Sequence, residues 1–319
     1  MTTEATGVPE SQSQLREKAQ IKSIWKLGGL TPKQLARRVW LAIEQDYLMS
    51  RASDLAYNFL LAAFPMLLFL VSLFGLFASE SKHLQDSLFF YLSQVLPPAA
   101  FTLVKHTLDE IIRKSSGGKL AFGLAFAVWA GSGGMSSLMS ALNIAYEVRD
   151  SRSWIKARLR AIALTMAISI LIIAALLMVL YGGSIAEFVG MRLGFAKLTV
   201  LGWKLAQGVI ALGFVILSFA LIYYFGPDLK EPHWHWITPG SLVGVVLWLA
   251  VSFGFRFYLN FFNNYSRSYG SLGAVIILLF WFQATGFAFL IGGEINSEIE
   301  RAAAEQRRRE AEAEGKEAA

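Results

Sequence analysis

Hydrophobic positions in this chain gather in long runs separated by short polar stretches. A membrane-spanning helix needs about 20 mostly apolar residues, and six segments meet that length: 55–78, 120–146, 161–181, 203–225, 237–259 and 272–292. Ser53-Asp54, ahead of the first, supplies two residue types that cap helices. No charge lies well inside any segment, and Lys204 and Arg256 stand near ends, where long side chains reach the interface. The pattern predicts an all-α fold, a polytopic helical membrane protein with six transmembrane helices. Residues 1–54 read as a cytoplasmic arm with a basic amphipathic helix, 55–293 as the six-span membrane domain, and 294–319 as a charged cytoplasmic tail.

Shorter amphipathic stretches flank the spans. Thr31-Pro32 reads as a helix start with the cap before proline. Leu35, Val39, Trp40, Ile43 and Tyr47 then share one face, while Lys33, Arg37 and Arg38 lie elsewhere. Such a helix either lies on an anionic inner leaflet, making membrane lipids its partner, or packs against protein; the periodicity fits both. Between spans one and two, Pro97-Pro98 divides two short helices, one lined by Leu88, Tyr91, Leu92 and Val95, the other by Phe101, Val104, Leu108 and Ile111. Both are too short to span and are expected to cap the outer side. From Arg301 onward the chain has no apolar face and reads as frayed helix or disorder. The two halves of the six spans show no internal repeat of the kind many transporters carry.

Charge sets the orientation. With the N-terminus inside, 19 Lys and Arg fall on the inner side and at most ten on the outer, so the positive-inside rule favours both termini in the cytoplasm. The inner loop at 149–160, with five basic residues, carries the strongest vote. Composition agrees: 55% hydrophobic, 16% charged, mean hydropathy +0.48, against about 25% charged in soluble domains. The first 26 residues are polar and mixed in charge, so no cleaved signal peptide is expected. The net charge of +6 follows the positive-inside pattern and implies no nucleic-acid partner.

Candidate chemistry is sparse. With no cysteine there is no thiolate chemistry. His233 and His235 share a short loop without a third ligand near in sequence, and His83 and His106 stand alone, so neither a metal nor a cofactor is expected. There is no phosphate-binding loop for an ATP-driven pump. Interruptions in the spans are more informative, because lipid cannot satisfy a freed backbone group. Pro65 stands mid-way along span one, and Gly131-Ser132-Gly133-Gly134 with Ser136 near the centre of span two. These form either a binding site near the midplane or a close helix–helix contact, with packing weighed ahead. Polar residues within spans, Tyr57, Asn58, Asn143, Gln207 and the deep Gln283, are expected to face the bundle or a wet cavity. Glu294 and Asn296, after span six, and Glu147, Arg149, Asp150 and Arg152, after span two, form a polar cluster at the cytoplasmic face, where a salt bridge between the groups is one reading and a plain interfacial role the other. No carboxylate or histidine lies deep in a span, which favours passive or partner-driven movement over proton coupling.

At these residues the chain resembles the YihY/virulence factor BrkB family of bacterial inner-membrane proteins, over roughly residues 34–299. The likeness rests on Ser53-Asp54-Leu55-Ala56-Tyr57 with Phe64-Pro65, then Trp129, Leu142-Asn143-Ile144-Ala145-Tyr146, Arg149 and Arg152. It continues through Tyr224-Phe225-Gly226-Pro227, Trp236, Pro239-Gly240 and Trp248. Its most specific stretch is Tyr265, Tyr269-Gly270-Ser271-Leu272-Gly273, Trp281 and Gly292-Gly293-Glu294-Ile295-Asn296, with Tyr265, Tyr269, Gly270 and Gly273 forming an outer-loop motif. The resemblance implies a six-span inner-membrane protein of undefined activity. Some members are tied to export of lipid-type envelope molecules, and some once bore a ribonuclease BN label. A transporter or translocation factor for a lipid or other amphiphile is the leading reading. A non-transporting scaffold that binds a protein partner is the alternative, a homo-oligomer is compatible with both, and a tRNA-processing ribonuclease ranks last because no cytosolic carboxylate or histidine cluster is in view.

Overall fold

The computed structural model describes residues 25–78, 89–90, 105, 117–193, 196–229, 237–261 and 271–317. Among these there is no strand. A 3-10 turn at Leu27–Gly29 precedes α1 (Pro32–Gln45), α2 (Leu48–Ala78), α3 (Gly117–Ala145), α4 (Trp154–Leu193), α5 (Ala196–Phe225), α6 (Pro239–Phe261) and α7 (Ser271–Glu317).

Local sequence explains the starts. At α1 the Thr31 Oγ1 accepts from the Gln34 N–H at 3.3 Å and Gln34 Oε1 accepts from the Thr31 N–H at 2.9 Å, a reciprocal capping box with proline at the first helical position. One face of α1 then lies on α7: Leu35 and Val39 pack with Ile295 and Ile299. Of the five residues grouped on one face by periodicity, Trp40 and Tyr47 stay exposed. α2 begins at Leu48, ahead of Ser53-Asp54, and Ser53 Oγ donates back to the Met49 carbonyl instead of capping. α4 likewise starts at Trp154, before the apolar segment.

The six long helices close a ring in chain order, α2 to α7, with α7 returning to α2. Small residues set the approaches. A Cβ on Gly134 would meet Phe59 and Ala62 of α2, and one on Gly286 of α7 would meet Leu55 and Ala52. On the α5–α7 side, Phe219 stacks on Phe289 with centroids 4.1 Å apart, and Tyr223 Oη donates to the Phe289 carbonyl at 2.9 Å. The middle of the ring at the α1 end is filled by Leu48, Leu55, Leu138, Leu142 and Leu290.

Among the described residues, four stretches are long and apolar enough to cross a membrane: Trp154–Met178, Ala206–Phe225, Pro239–Tyr258 and Val275–Glu310. Only 22–28% of each apolar window is buried within the protein, so most of that surface faces outward and requires lipid. The described parts of α2 and α3 do not reach that measure, so four spans, not the expected six, are established by length and composition. The ends of α3 and α5, the start of α6 and residues 295–299 of α7 meet at the end of the ring that α1 covers. The segment after Arg301, expected frayed or disordered, continues α7, and Ala302 is buried against the turn at Gly28. The two short outer helices and the environments of the four histidines fall outside the described residues.

Candidate functional site

Gln283, singled out in the sequence for its place in the middle of the sixth apolar segment, is half-buried. Its Nε2 donates to Ser53 Oγ at 2.8 Å and lies 3.8 Å from Met49 Sδ. Around this contact α6 and α7 leave a groove of about 600 Å³, walled by Gly254, Phe255 and Tyr258 on one side and Ile276, Ile277, Phe280, Ala284 and Phe287 on the other. Met49 and Phe280, both in its lining, are exposed, so the groove opens on the outer surface of the ring. Apolar walls of this size suit a hydrocarbon chain, and the amide of Gln283 offers one polar anchor.

A second cleft of about 270 Å³ lies between α2 and α3, where Arg51, Asp54, Ser136, Ser137 and Ser140 join Leu55, Ala141 and Ile144 in its lining. Arg51 and Met49 are two residues apart on α2, about 200° around the helix, so cleft and groove occupy different faces. Tyr57 is exposed, and Asn58 Nδ2 donates to the Asp54 carbonyl of its own helix at 2.8 Å.

The glycine cluster lies within an unbroken helix. α3 runs through Gly131-Ser132-Gly133-Gly134, and α2 runs through Pro65. A Cβ on Gly131 would come within 3.4 Å of the Met66 backbone, next to Pro65, whereas Gly133 faces open space. Ser132 is buried and its Oγ donates to the Trp129 carbonyl at 2.8 Å. Ser136 Oγ accepts from Arg158 Nη1 at 3.2 Å, the Arg158 Nη2 donates to the Trp129 carbonyl, and the guanidinium lies 4.8 Å from the Trp129 ring. Arg158, in the first turns of α4, had no motif to mark it.

The polar cluster expected at the cytoplasmic face separates into two assemblies. In the first, buried Asn143 donates to Asp150 Oδ2 at 3.0 Å and accepts from the Asp228 N–H at 2.8 Å. Arg152 donates to both Asp150 oxygens at 2.7 Å and to the Gly226 carbonyl at 3.0 Å. Ser151 donates to Asp228 Oδ2 from its hydroxyl at 2.6 Å and its N–H at 2.8 Å. Two loops are thereby clasped together. The Arg152 guanidinium holds the Asp150 carboxyl below its ordinary range, and the Ser151 donors do the same for Asp228. Asp228 was missed in the sequence although it follows the Gly226-Pro227 pair. Arg149 is exposed.

The second assembly surrounds Gly292-Gly293-Glu294-Ile295-Asn296. Asn296 Oδ1 accepts from the Gly240 N–H at 3.0 Å. A Cβ on Gly240 would strike the Gly292 carbonyl, and one on Gly292 would strike Tyr223 Oη, while Gly293 admits Leu142 of α3. The glycine pair thus lets α3, α5 and α6 all close on α7. Glu294 is buried rather than interfacial, with neither oxygen hydrogen-bonded. The salt bridge joining the α3 end to α7 is Arg301 with Glu147 at 2.9 Å, and it involves neither Glu294 nor Arg152. Tyr265, Tyr269 and Gly270 lie outside the described residues, and Gly273 is in the first turn of α7.

Residues 39–317 match the family described as Virulence factor BrkB. The chain is 33% identical over 248 residues to the ribonuclease-like protein YfkH of Bacillus subtilis (strain 168), covering 78% of this chain and 88% of that one. It is 29% identical over 267 residues to a UPF0761 membrane protein of Vibrio cholerae serotype O1, covering 81% and 84%. A UPF0761 membrane protein of Xanthomonas campestris pv. campestris is 22% identical over 267 residues, and the match spans 82% of this chain but 60% of that one. No solved structure matches. The ribonuclease wording attaches to the Bacillus protein alone of these three, the other two being named only as membrane proteins. Outward-facing apolar helices and a family match over most of the length agree: the chain belongs to the virulence factor BrkB family and is a multi-pass membrane protein.

Proposed function

We propose that this protein moves a lipid or other amphiphile between the leaflets of the bacterial inner membrane, with both termini cytoplasmic and six spans. The observation that carries this reading is the α6–α7 groove: about 600 Å³ of mostly apolar space on the outer surface of the ring, with the single amide of Gln283 in its wall. It lies within two of the four apolar stretches whose surfaces face outward, so a chain entering it comes from the bilayer. The leucine-filled middle of the ring supports a lateral path over a central pore. The gathering of α1, the α3 and α5 ends and the end of α7 on one side supports an even number of crossings.

Purified protein in liposomes carrying fluorescent lipid is expected to accelerate lipid crossing over protein-free vesicles. No acceleration across several lipid classes would overturn the reading. A nuclease reading lacks comparable support: among the described residues no three His, Cys, Asp or Glu side chains gather to hold a metal, and metal-dependent tRNA cleavage by purified protein decides it.

A further inference from the structure

Glu294 stands two residues beyond the sixth apolar segment, where α7 enters the layer made by α1 and the inner ends of α3 and α5. It is 0% exposed, and both carboxylate oxygens lack a hydrogen-bond partner. The carboxylate facing it is Asp46, the half-buried C-cap of α1. The nearest cation, Arg301, hydrogen-bonds Glu298 through Nη1 at 3.0 Å, and its Nη2 lies 2.9 Å from Glu147 in an ion pair without a hydrogen bond to Glu294. Arg38 of α1 is likewise held, 3.1 Å from Glu305 and 3.6 Å from Glu298. Tyr146 of α3 and Glu298 of α7 complete the nearby titratable groups, with Glu300 beyond Tyr146. No donor among them satisfies the Glu294 oxygens.

An unpaired carboxylate removed from water is far costlier than its protonated form, and two adjacent carboxylates resist ionising together. We propose that Glu294 is a proton-binding site, its proton shared with Asp46 across the elbow between α1 and α2. Asp46 reaches solvent, so the proton passes from Glu294 to Asp46 and then to water. Release leaves two like charges between α7 and an elbow already turned by Tyr47, whose φ is 52°. The proton therefore acts as a latch holding α1 and the start of α2 on α7. The proposal is independent of any transported substrate.

Infrared spectroscopy of the full-length protein in lipid tests it. At neutral pH a protonated carboxyl band is expected, lost in Glu294→Gln and shifted to titrate at lower pH in Asp46→Asn. Glu294→Gln keeps the shape and neutrality of the protonated group, so wild-type yield and melting are expected. Raising the pH should strip hydrogen-exchange protection from α1 in the wild type beyond the intrinsic effect, and not in Glu294→Gln. Absence of the band, its persistence in Glu294→Gln, or misfolding of that variant at neutral pH would each overturn the proposal.

Discussion

Glycines that look alike in the sequence do different things. Gly292 has no room for a methyl group, since Tyr223 Oη and the Gly240 carbonyl occupy the space, while Gly133 has nothing within 4 Å. Gly292→Ala is therefore expected to destabilise the protein by about 1–3 kcal/mol through overpacking. Gly133→Ala should be neutral, or stabilising by up to about 1 kcal/mol through helix propensity. Melting of the two purified variants in one detergent checks both; equal losses would contradict the packing described. The sequence shows a glycine run and a glycine pair but not which Cα faces a neighbour, because that depends on the rotation of each helix against the next.

At the scale of elements, α1 and the long apolar segments were legible because period and capping chemistry are local. Thr31-Pro32 and Gln34 mark a start that needs no tertiary information. The partner of α1 was not legible: Leu35 and Val39 pack on Ile295 and Ile299, some 260 residues away in sequence. Shorter separations also hid Asp228, 77 and 85 residues from its partners, and Arg158, 22 and 29 residues from its own, because their roles exist only once loops and helices from separate segments meet. The clasp of Asn143, Asp150, Arg152 and Asp228 yields a pH prediction. Asp150 and Asp228 bind protons less readily in the fold than in the unfolded chain. Their contribution to stability is thus complete above the ordinary carboxyl range and is lost as pH falls through their lowered values, below about pH 4. Melting temperature should drop over that window in the wild type. Arg152→Ala should start lower and drop less; an identical acid profile in both would argue against the clasp.

For the whole molecule, the ring order and the gathering of helix ends beside α1 make the proposed orientation testable. The native chain has no cysteine, so single cysteines report cleanly. Ser153→Cys, in the α3–α4 loop, should react with a membrane-impermeant maleimide only after cells are permeabilised. Ser87→Cys, in the segment between the first two apolar runs, should react in intact cells. The reverse pattern would invert the proposed topology. The groove was half legible: Gln283 stood out by its depth, but the space beside it is bounded by residues of α2, α6 and α7 together, which no single segment encodes. Its function is tested most directly by filling it. Lipid crossing in liposomes should be accelerated by the wild type and by Gly133→Ala, and should fall at least about tenfold, roughly 1.4 kcal/mol in barrier, when Ala284→Trp occupies the groove. Crossing by Ala284→Trp at the wild-type rate, in protein that is inserted and melts normally, would contradict a lipid path along α6 and α7.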